Sequence, residues 1–516
     1  MNWSVATALA GKRVLITGTT GFIGKVVLEK LVRDVPGIAR MVLVLRGSRQ
    51  HADALQRLRA EVLSSSVFDH LRCTAAARLQ RFVDEQLQVV DGSLTEPQLG
   101  LEAEAFARLA SEVDVIVNIA ASVNFREALD QALAINTFSV RHLAELARAA
   151  GGIPLVQVST CYVNGHRRGL IAETLAPGVR TRLAAQPDGS SDVQGLLAQL
   201  QQQVAQLKQR VPAGPAQERA LVDLGIRQAR RLGWNDTYTF TKWLGEQVAR
   251  HEMRGGTLSI VRPAIVESAC HEPQPGWIEG MKVGDAIVLA YARGKTRLFP
   301  ARPAGVADII PVDLVANSIV LATAEALQHP GACRIYQAAS GARNPVRVGE
   351  YVRLCQTEMR SNAAAYPRLI RRPLDKPFRT VPRPLFLAGL GIAVAFAGLA
   401  HRVARAFGLP AQRLAFYDAI NTTRELATVF SFYTSPRYVF DNRELLALAQ
   451  RFEPADRQRF EVDPLCFDWA HYVARIHLPG LERYAVKSAP TEGARAAPEA
   501  AAALPGATAQ LPGSAS

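Results

Sequence analysis

Short runs of β-branched and aliphatic residues recur at positions 14–17, 41–45, 87–90, 114–117, 155–158, 258–261 and 334–337. Apolar residues follow one another within these runs, as expected for strands covered on both faces. Between them lie amphipathic segments, such as 24–34 and 129–149, with apolar residues at helical spacing. Strand and helix alternating in this way predict an α/β protein with a doubly wound parallel sheet and right-handed crossovers. Two stretches break the alternation. The first is an insert at about 170–231, whose segment 193–210 places Leu196, Leu197, Leu200 and Leu207 along a Gln/Ala-rich helix. Its periodicity reads as a surface helical excursion. The second begins after Pro345 and predicts a smaller, mainly helical C-terminal domain with aromatic punctuation. The expected organisation is a first domain over 1–345, a second over 346–487, and a disordered tail over 488–516, where Ala, Pro, Gly and Ser dominate.

Charge narrows the choice of partners. Over 516 residues, 60 Lys and Arg face 46 Asp and Glu, for a net charge of +14. Such an excess favours an anionic partner. No helix-turn-helix, zinc-finger or RNP signature is visible, so nucleic acid is not expected. The six cysteines form no C-x-x-C pair, and the ten histidines show no ligand pair at metal spacing. Reduced thiols, no metal and a cytoplasmic location are therefore expected. The N-terminus lacks the basic region of a secretory signal.

Gly18-Thr19-Thr20-Gly21-Phe22-Ile23-Gly24 follows the first run and opens the first helical segment. Its glycines permit a tight turn and bring backbone N–H groups to a pyrophosphate at a helix N-terminus, a Rossmann-type dinucleotide site. After the second run, where an NAD enzyme usually carries an acid, stand Arg46-Gly47-Ser48-Arg49. Arg46 and Arg49 suit a ribose 2′-phosphate, so NADPH is predicted; the other reading is solvated loop charge.

Tyr238 and Lys242 are four apart, on one face of a helix. An ammonium beside a phenol is expected to lower the phenol's pKa, letting Tyr238 protonate a carbonyl oxygen as hydride arrives at carbon. Ser159 and Thr160 stand at the end of the fifth run, at the sheet edge where ligands bind.

These motifs, in this order, resemble the extended short-chain dehydrogenase/reductase superfamily over about 11–345. The resemblance implies Thr160 as the catalytic hydroxyl, with Ser159 as runner-up, beside Tyr238 and Lys242. It implies Asn136 as the central-helix Asn. Asn118, Ala120 and Ala121 match the segment beside the cofactor, and Arg262-Pro263 matches the Arg-Pro after the sixth strand. Gly92-Ser93 departs from the usual Gly-Asp at the adenine. Thr160 and Tyr238 stand 238 − 160 = 78 positions apart, a wide spacing that the insert explains.

A closer resemblance is to the bacterial alcohol-forming fatty acyl-CoA reductases of the male-sterility type. It rests on segments 18–30, 120–125, 158–165, 236–246, 275–280 and 308–313, and on 432–435 and 467–469 near the C-terminus. It implies NADPH-dependent reduction of a long-chain acyl-CoA or acyl-ACP, through the aldehyde, to a primary alcohol feeding wax ester or lipid synthesis. An enzyme acting only on aldehydes, or releasing the aldehyde, is the main alternative. A sugar-nucleotide epimerase or dehydratase, or a silent NADP-binding regulator, is disfavoured by the apolar C-terminal region and the intact triad. Cys161 reads as a packing thiol and Asp313 as a structural partner. Gly276 and Trp277 are expected either to line the substrate pocket or to fill the core.

Residues 385–400 are 16 uncharged positions, about 24 Å as a helix against a bilayer core of roughly 30 Å. Arg368, Arg371, Arg372, Lys376, Arg379 and Arg383 precede them, and Arg402 and Arg405 follow. Two readings stand: a buried helix with solvated basic flanks, or a peripheral contact with the inner membrane or acyl-chain entrance, with the arginines meeting lipid or CoA phosphates.

Overall fold

The computed structural model describes residues 2–48, 50–180, 183–294, 298–374, 377–406 and 430–486. The seven apolar runs become seven strands: β1 Arg13–Thr17, β2 Arg40–Leu45, β3 Leu87–Asp91, β4 Val115–Asn118, β5 Leu155–Val158, β6 Leu258–Pro263 and β7 Cys333–Ala338. They form one sheet in the order β3-β2-β1-β4-β5-β6-β7, every pair parallel. The order reverses between β1 and β4, which opens a crevice at the carboxyl ends of the strands.

Alternate side chains serve opposite faces, as the pleat requires. Val14 and Ile16 join the core shared with α1 (Phe22–Asp34), whereas Leu15 joins the core on the other face. The insert supplies α2 (Gln194–Arg210) and α3 (Pro215–Leu232). Leu196, Leu197 and Leu200 of α2 and Leu221 and Leu224 of α3 are buried in the same core as Leu15, with Leu207 at its margin. The two insert helices pack on each other and on the helices at 129–133 and 237–252, as an outer helical layer on that side of the sheet. The insert ends at Gly233, whose φ of 106° is left-handed, and the chain turns directly into α4 (Thr237–Glu252).

α5 (Val312–Gln328) packs on the α1 side of the sheet. The region after residue 345 is mainly helical, with α6 (Val348–Ser361) and α7 (Arg383–Ala406). Its ties to the first part of the chain include two backbone contacts. Strand Tyr438–Phe440 pairs in parallel with Gly169–Ile171 of the insert. Gly276 and Gly480 meet backbone to backbone: a Cβ on Gly480 would lie 2.0 Å from the Gly276 carbonyl oxygen. Phe440, Phe452, Tyr472 and Leu478 share the core of β1 and α1. Arg49, Lys376 and the tail over 488–516 lie outside the described residues, as do the side chains of Arg402 and Arg405.

Candidate active site

The phosphate loop is shaped by close approaches. Gly18 has a φ of 73°, and a Cβ there would lie 2.5 Å from the Ala120 nitrogen. A Cβ on Gly24 would lie 2.2 Å from the Gly18 carbonyl oxygen. Both glycines are therefore required by packing alone. Gly21 is different: its Cβ would meet only the Gly18 oxygen, at 3.3 Å. Gly21 caps α1 with no side-chain hydrogen bond, and no acid occupies the first turn. Those N–H groups and their partial positive charge remain for a phosphate. Thr19 is buried in the loop with its hydroxyl unpartnered. This cradle fits a dinucleotide pyrophosphate. Thr20, Phe22 and Ile23 complete it; the Phe22 ring stacks on Trp277 with centroids 5.5 Å apart.

Asn118, at the end of β4, locks the crevice floor. Its Oδ1 accepts from the Thr17 hydroxyl at 2.5 Å and its Nδ2 donates to Gln157 at 2.7 Å, while the Ala120 N–H donates to Thr17. Ala121 continues this segment. Arg46 is exposed at the end of β2, and the Ser48 hydroxyl accepts from the N–H groups of Gln50 and His51.

The expected catalytic groups meet on α4 and the β5 edge. The Thr160 hydroxyl stands beside the Tyr238 phenol and favours its ionisation, while it donates to the Pro263 carbonyl at 3.4 Å and accepts from the Tyr162 N–H at 3.3 Å. Ser159 is buried with its hydroxyl unpartnered, and of the pair it is Thr160 that bears on the Tyr238 phenol. The Lys242 ammonium donates to the Val158 carbonyl at 2.7 Å. Asn136 lies in a wide helical turn; its Oδ1 accepts from the Ser122 N–H at 3.0 Å and its Nδ2 donates to Thr241 at 3.0 Å. Gly245 permits this contact, because a Cβ there would sit 2.2 Å from the Asn136 carbonyl.

The electrostatics correct one expectation. Tyr238 is held well above the ordinary phenol value by burial, opposed by the Thr160 hydrogen bond. Proximity to Lys242 in sequence does not lower it; the burial cost of a phenolate wins. A protonated phenol is the form needed to donate in the reductive direction. Burial pushes Lys242 down to about 8, against the opposing charge of Glu246. Its charge is present below that pH and lost above it. The rate of carbonyl reduction is therefore expected to fall as pH rises through about 8, as the cation supporting the developing phenolate disappears. A kcat–pH profile checks this. In Lys242→Arg, which keeps its charge, the alkaline limb should move upward; an unmoved limb assigns it to another group.

Several neighbours escaped sequence reading. Asp236 caps α4, accepting from the Thr239 N–H at 2.8 Å and from the Tyr433 hydroxyl at 2.9 Å. The signal for the cap was present, an Asp just ahead of a helical pattern. That for Tyr433, 197 positions away, was not. Phe125 stands edge-on to Tyr238, with centroids 5.8 Å apart, and also meets Phe430 and Tyr433. Tyr162 meets Tyr433 at 4.8 Å. C-terminal aromatics thus wall the site instead of filling only their own core.

Gly276 and Trp277 have packing partners. Trp277 is fully buried, stacked on Phe22, and its Nε1 donates to Ser66 at 3.1 Å. Gly276 abuts the Ile476 carbonyl. Of the two expected readings, these contacts favour core. Asp313 accepts from the N–H groups of Cys270, His271 and Glu272, a structural role.

A family model described as male sterility protein, an NAD-binding domain, matches residues 16–319, and a second of the same description matches 397–488. The chain belongs to the male sterility family. Relatives include fatty acyl-CoA reductase 2, chloroplastic, of Arabidopsis thaliana, 32% identical over 496 residues and covering 94% of this chain and 80% of that protein. The alcohol-forming fatty acyl-CoA reductase of Simmondsia chinensis is 28% identical over 512 residues, covering 94% and 99%. Among solved structures, the terminal R domain from the myxalamid PKS-NRPS biosynthetic pathway superposes with a TM-score of 0.55 at 20% identity, covering 92% of this chain and 90% of that one. That likeness is one of fold. Within the male sterility family frame, the NAD(P)-binding part carries the phosphate loop, Thr160, Tyr238 and Lys242, and Phe430 and Tyr433 lie within the second matched region.

Proposed function

We propose that this protein, a male-sterility reductase of the bacterial alcohol-forming type, uses NADPH to convert long-chain acyl-CoA, through the fatty aldehyde, to the primary alcohol. The observation that carries this reading is Tyr238, half-buried with its phenol held protonated, beside Thr160 and one helical turn from Lys242, at the carboxyl edge of the sheet. Residues 18–24, Asn118, Ala120 and Ala121 would hold the cofactor, which supplies hydride when bound. Tyr238 donates its proton to the substrate carbonyl oxygen as negative charge develops there, and Thr160 steadies the phenol. The thiol then leaves the tetrahedral centre, and the same groups serve the aldehyde. Cys161 supports no acyl-enzyme: burial raises its thiol well above the ordinary value, and its sulfur donates to the Arg262 carbonyl at 3.0 Å.

Arg46 at the end of β2, with no acid beside it in the segment 45–49, supports NADPH over NADH. His166, edge-on to the Phe432 ring, is pushed below its ordinary value by desolvation and by the charges of Arg180, Arg383 and Arg230. That crowd of cations supports an anionic handle on the substrate, as in CoA or acyl-carrier protein.

The deciding experiment is product analysis with palmitoyl-CoA. Two NADPH consumed per thioester, with hexadecanol as product, is the expected result. One NADPH with accumulated hexadecanal would establish the aldehyde-releasing alternative. Reduction of hexadecanal without any thioester turnover would establish an aldehyde reductase. Equal turnover with NADH would remove the role given to Arg46.

A membrane-borne substrate is supported by α7. Leu385, Ile392 and Phe396 are 65%, 59% and 69% exposed and share one helical face, with Arg371, Arg372 and Arg379 exposed nearby in sequence. Among the described residues no helix is long and apolar enough to cross a membrane. We place this cytoplasmic enzyme against the inner membrane through that face. Serine at all three positions should abolish co-flotation with anionic vesicles; unchanged flotation rejects the contact.

A further inference from the structure

Away from the Tyr238 site, three buried ionisable side chains converge where the strand Ile265–Glu267, the helix Val283–Ala292 and the C-terminal segment Tyr472–His477 meet. They are Glu267, Asp285 and His477, and none is solvent-exposed. Their ligand atoms lie within 4.8 Å of one another. Both Glu267 carboxylate oxygens, Asp285 Oδ1 and His477 Nε2 lack a hydrogen-bond partner. Orphaned buried polar atoms are costly one at a time, and four aimed at one place are a structural anomaly.

The surroundings orient these atoms. Asp285 spends Oδ2 on capping its helix, accepting from the Lys282 N–H at 2.9 Å, which leaves Oδ1 free. The His477 ring is fixed through Nδ1, 3.0 Å from the Ser268 hydroxyl, so Nε2 faces the carboxylates. Such a hydrogen bond on the far nitrogen is the usual support of a metal-binding imidazole. Gly284 makes room for Glu267: a Cβ there would lie 2.9 Å from Oε1. The Lys282 ammonium is engaged elsewhere, donating to the Glu279 carbonyl at 2.6 Å and lying 3.7 Å above the Phe22 ring. His477 Nε2 and Asp285 Oδ1 are 3.2 Å apart without hydrogen-bond alignment. Two ligands about 2.0–2.1 Å from a tetrahedral ion are roughly 3.3 Å apart.

We propose that Glu267, Asp285 and His477 form a site for a divalent transition-metal cation of the zinc type, which fastens the C-terminal segment to the strand Ile265–Glu267 and the helix Val283–Ala292. Two carboxylates and one imidazole are a donor set such ions accept. The competing arrangement is metal-free, with one proton shared between the two carboxyl groups.

The test uses the full chain, purified without a metal-affinity step, stripped with EDTA and titrated with Zn²⁺ alone. The expected result is one zinc retained per chain and a Tm raised by about 2 °C at a hundredfold excess over Kd. Glu267→Gln and His477→Ala should lose the retained zinc, while the exposed control His70→Ala keeps it. Asp285→Asn, which preserves a capping oxygen, serves if the other variants fold poorly, and should also lose the zinc. A parent chain that retains no zinc and shows no Tm change overturns the proposal in favour of the shared proton. Variants that retain zinc as the parent does overturn it equally.

Discussion

Tyr238→Phe is expected to lower kcat for carbonyl reduction by on the order of 10²- to 10⁴-fold while leaving cofactor affinity nearly unchanged. The substitution removes one oxygen from a half-buried ring and keeps the edge-on contact with Phe125. It deletes the phenol proton beside Thr160, so the oxyanion forms without protonation. The phosphate loop, at the start of α1, is untouched. Steady-state kinetics with a fatty aldehyde, together with fluorescence titration of NADPH, check both halves. Loss of cofactor binding in parallel with kcat would mean that the variant had collapsed the site. Retention of more than a tenth of the parent rate would remove Tyr238 as the acid.

Arg262→Ala is expected to destabilise the fold by about 3–5 kcal/mol. Arg262 and Glu246 form a buried bidentate pair, with Nε to Oε1 at 2.9 Å and Nη2 to Oε2 at 2.6 Å. Neither side chain is open to solvent. Truncating the arginine leaves a carboxylate stranded in the core, with the Thr174 carbonyl also losing its donor. The double variant Arg262→Met/Glu246→Leu removes both charges and should recover most of the loss. Denaturant unfolding of the three proteins separates the cases. A single variant costing less than about 1 kcal/mol would show that water reaches Glu246. The pair also bears on catalysis, because Glu246 lies one turn beyond Lys242 on α4 and its charge holds up the lysine's pKa.

The sheet was legible in the sequence because its strands are apolar on both faces, so each run announces itself without help from the rest of the chain. The phosphate loop was legible for a related reason: Gly18, Gly21 and Gly24 act within one turn, and their spacing is the geometry. Tyr238 and Lys242 were readable as a pair, yet the direction of the tyrosine's pKa was not. That depends on how much water the phenol has lost, a property of Phe125 and the C-terminal aromatics packed over it. The Tyr433–Asp236 contact spans 197 positions and the Ser268–His477 contact 209. No local pattern encodes such pairs. Trp277 illustrates the same limit, since a tryptophan in a Pro-Gly turn is equally suited to a pocket wall or a core until its neighbour Phe22 is known.

Gly276 and Gly480 touch through bare backbone, leaving no side chain between them that could rotate aside and reseat. Domain closure by hinge bending would have to pull these main chains apart and rejoin them within tenths of an ångström at each turnover. Admission of a long acyl chain therefore falls to rearrangement of side chains and short segments. Turnover should be paced by such local breathing, not by the swing of a lobe.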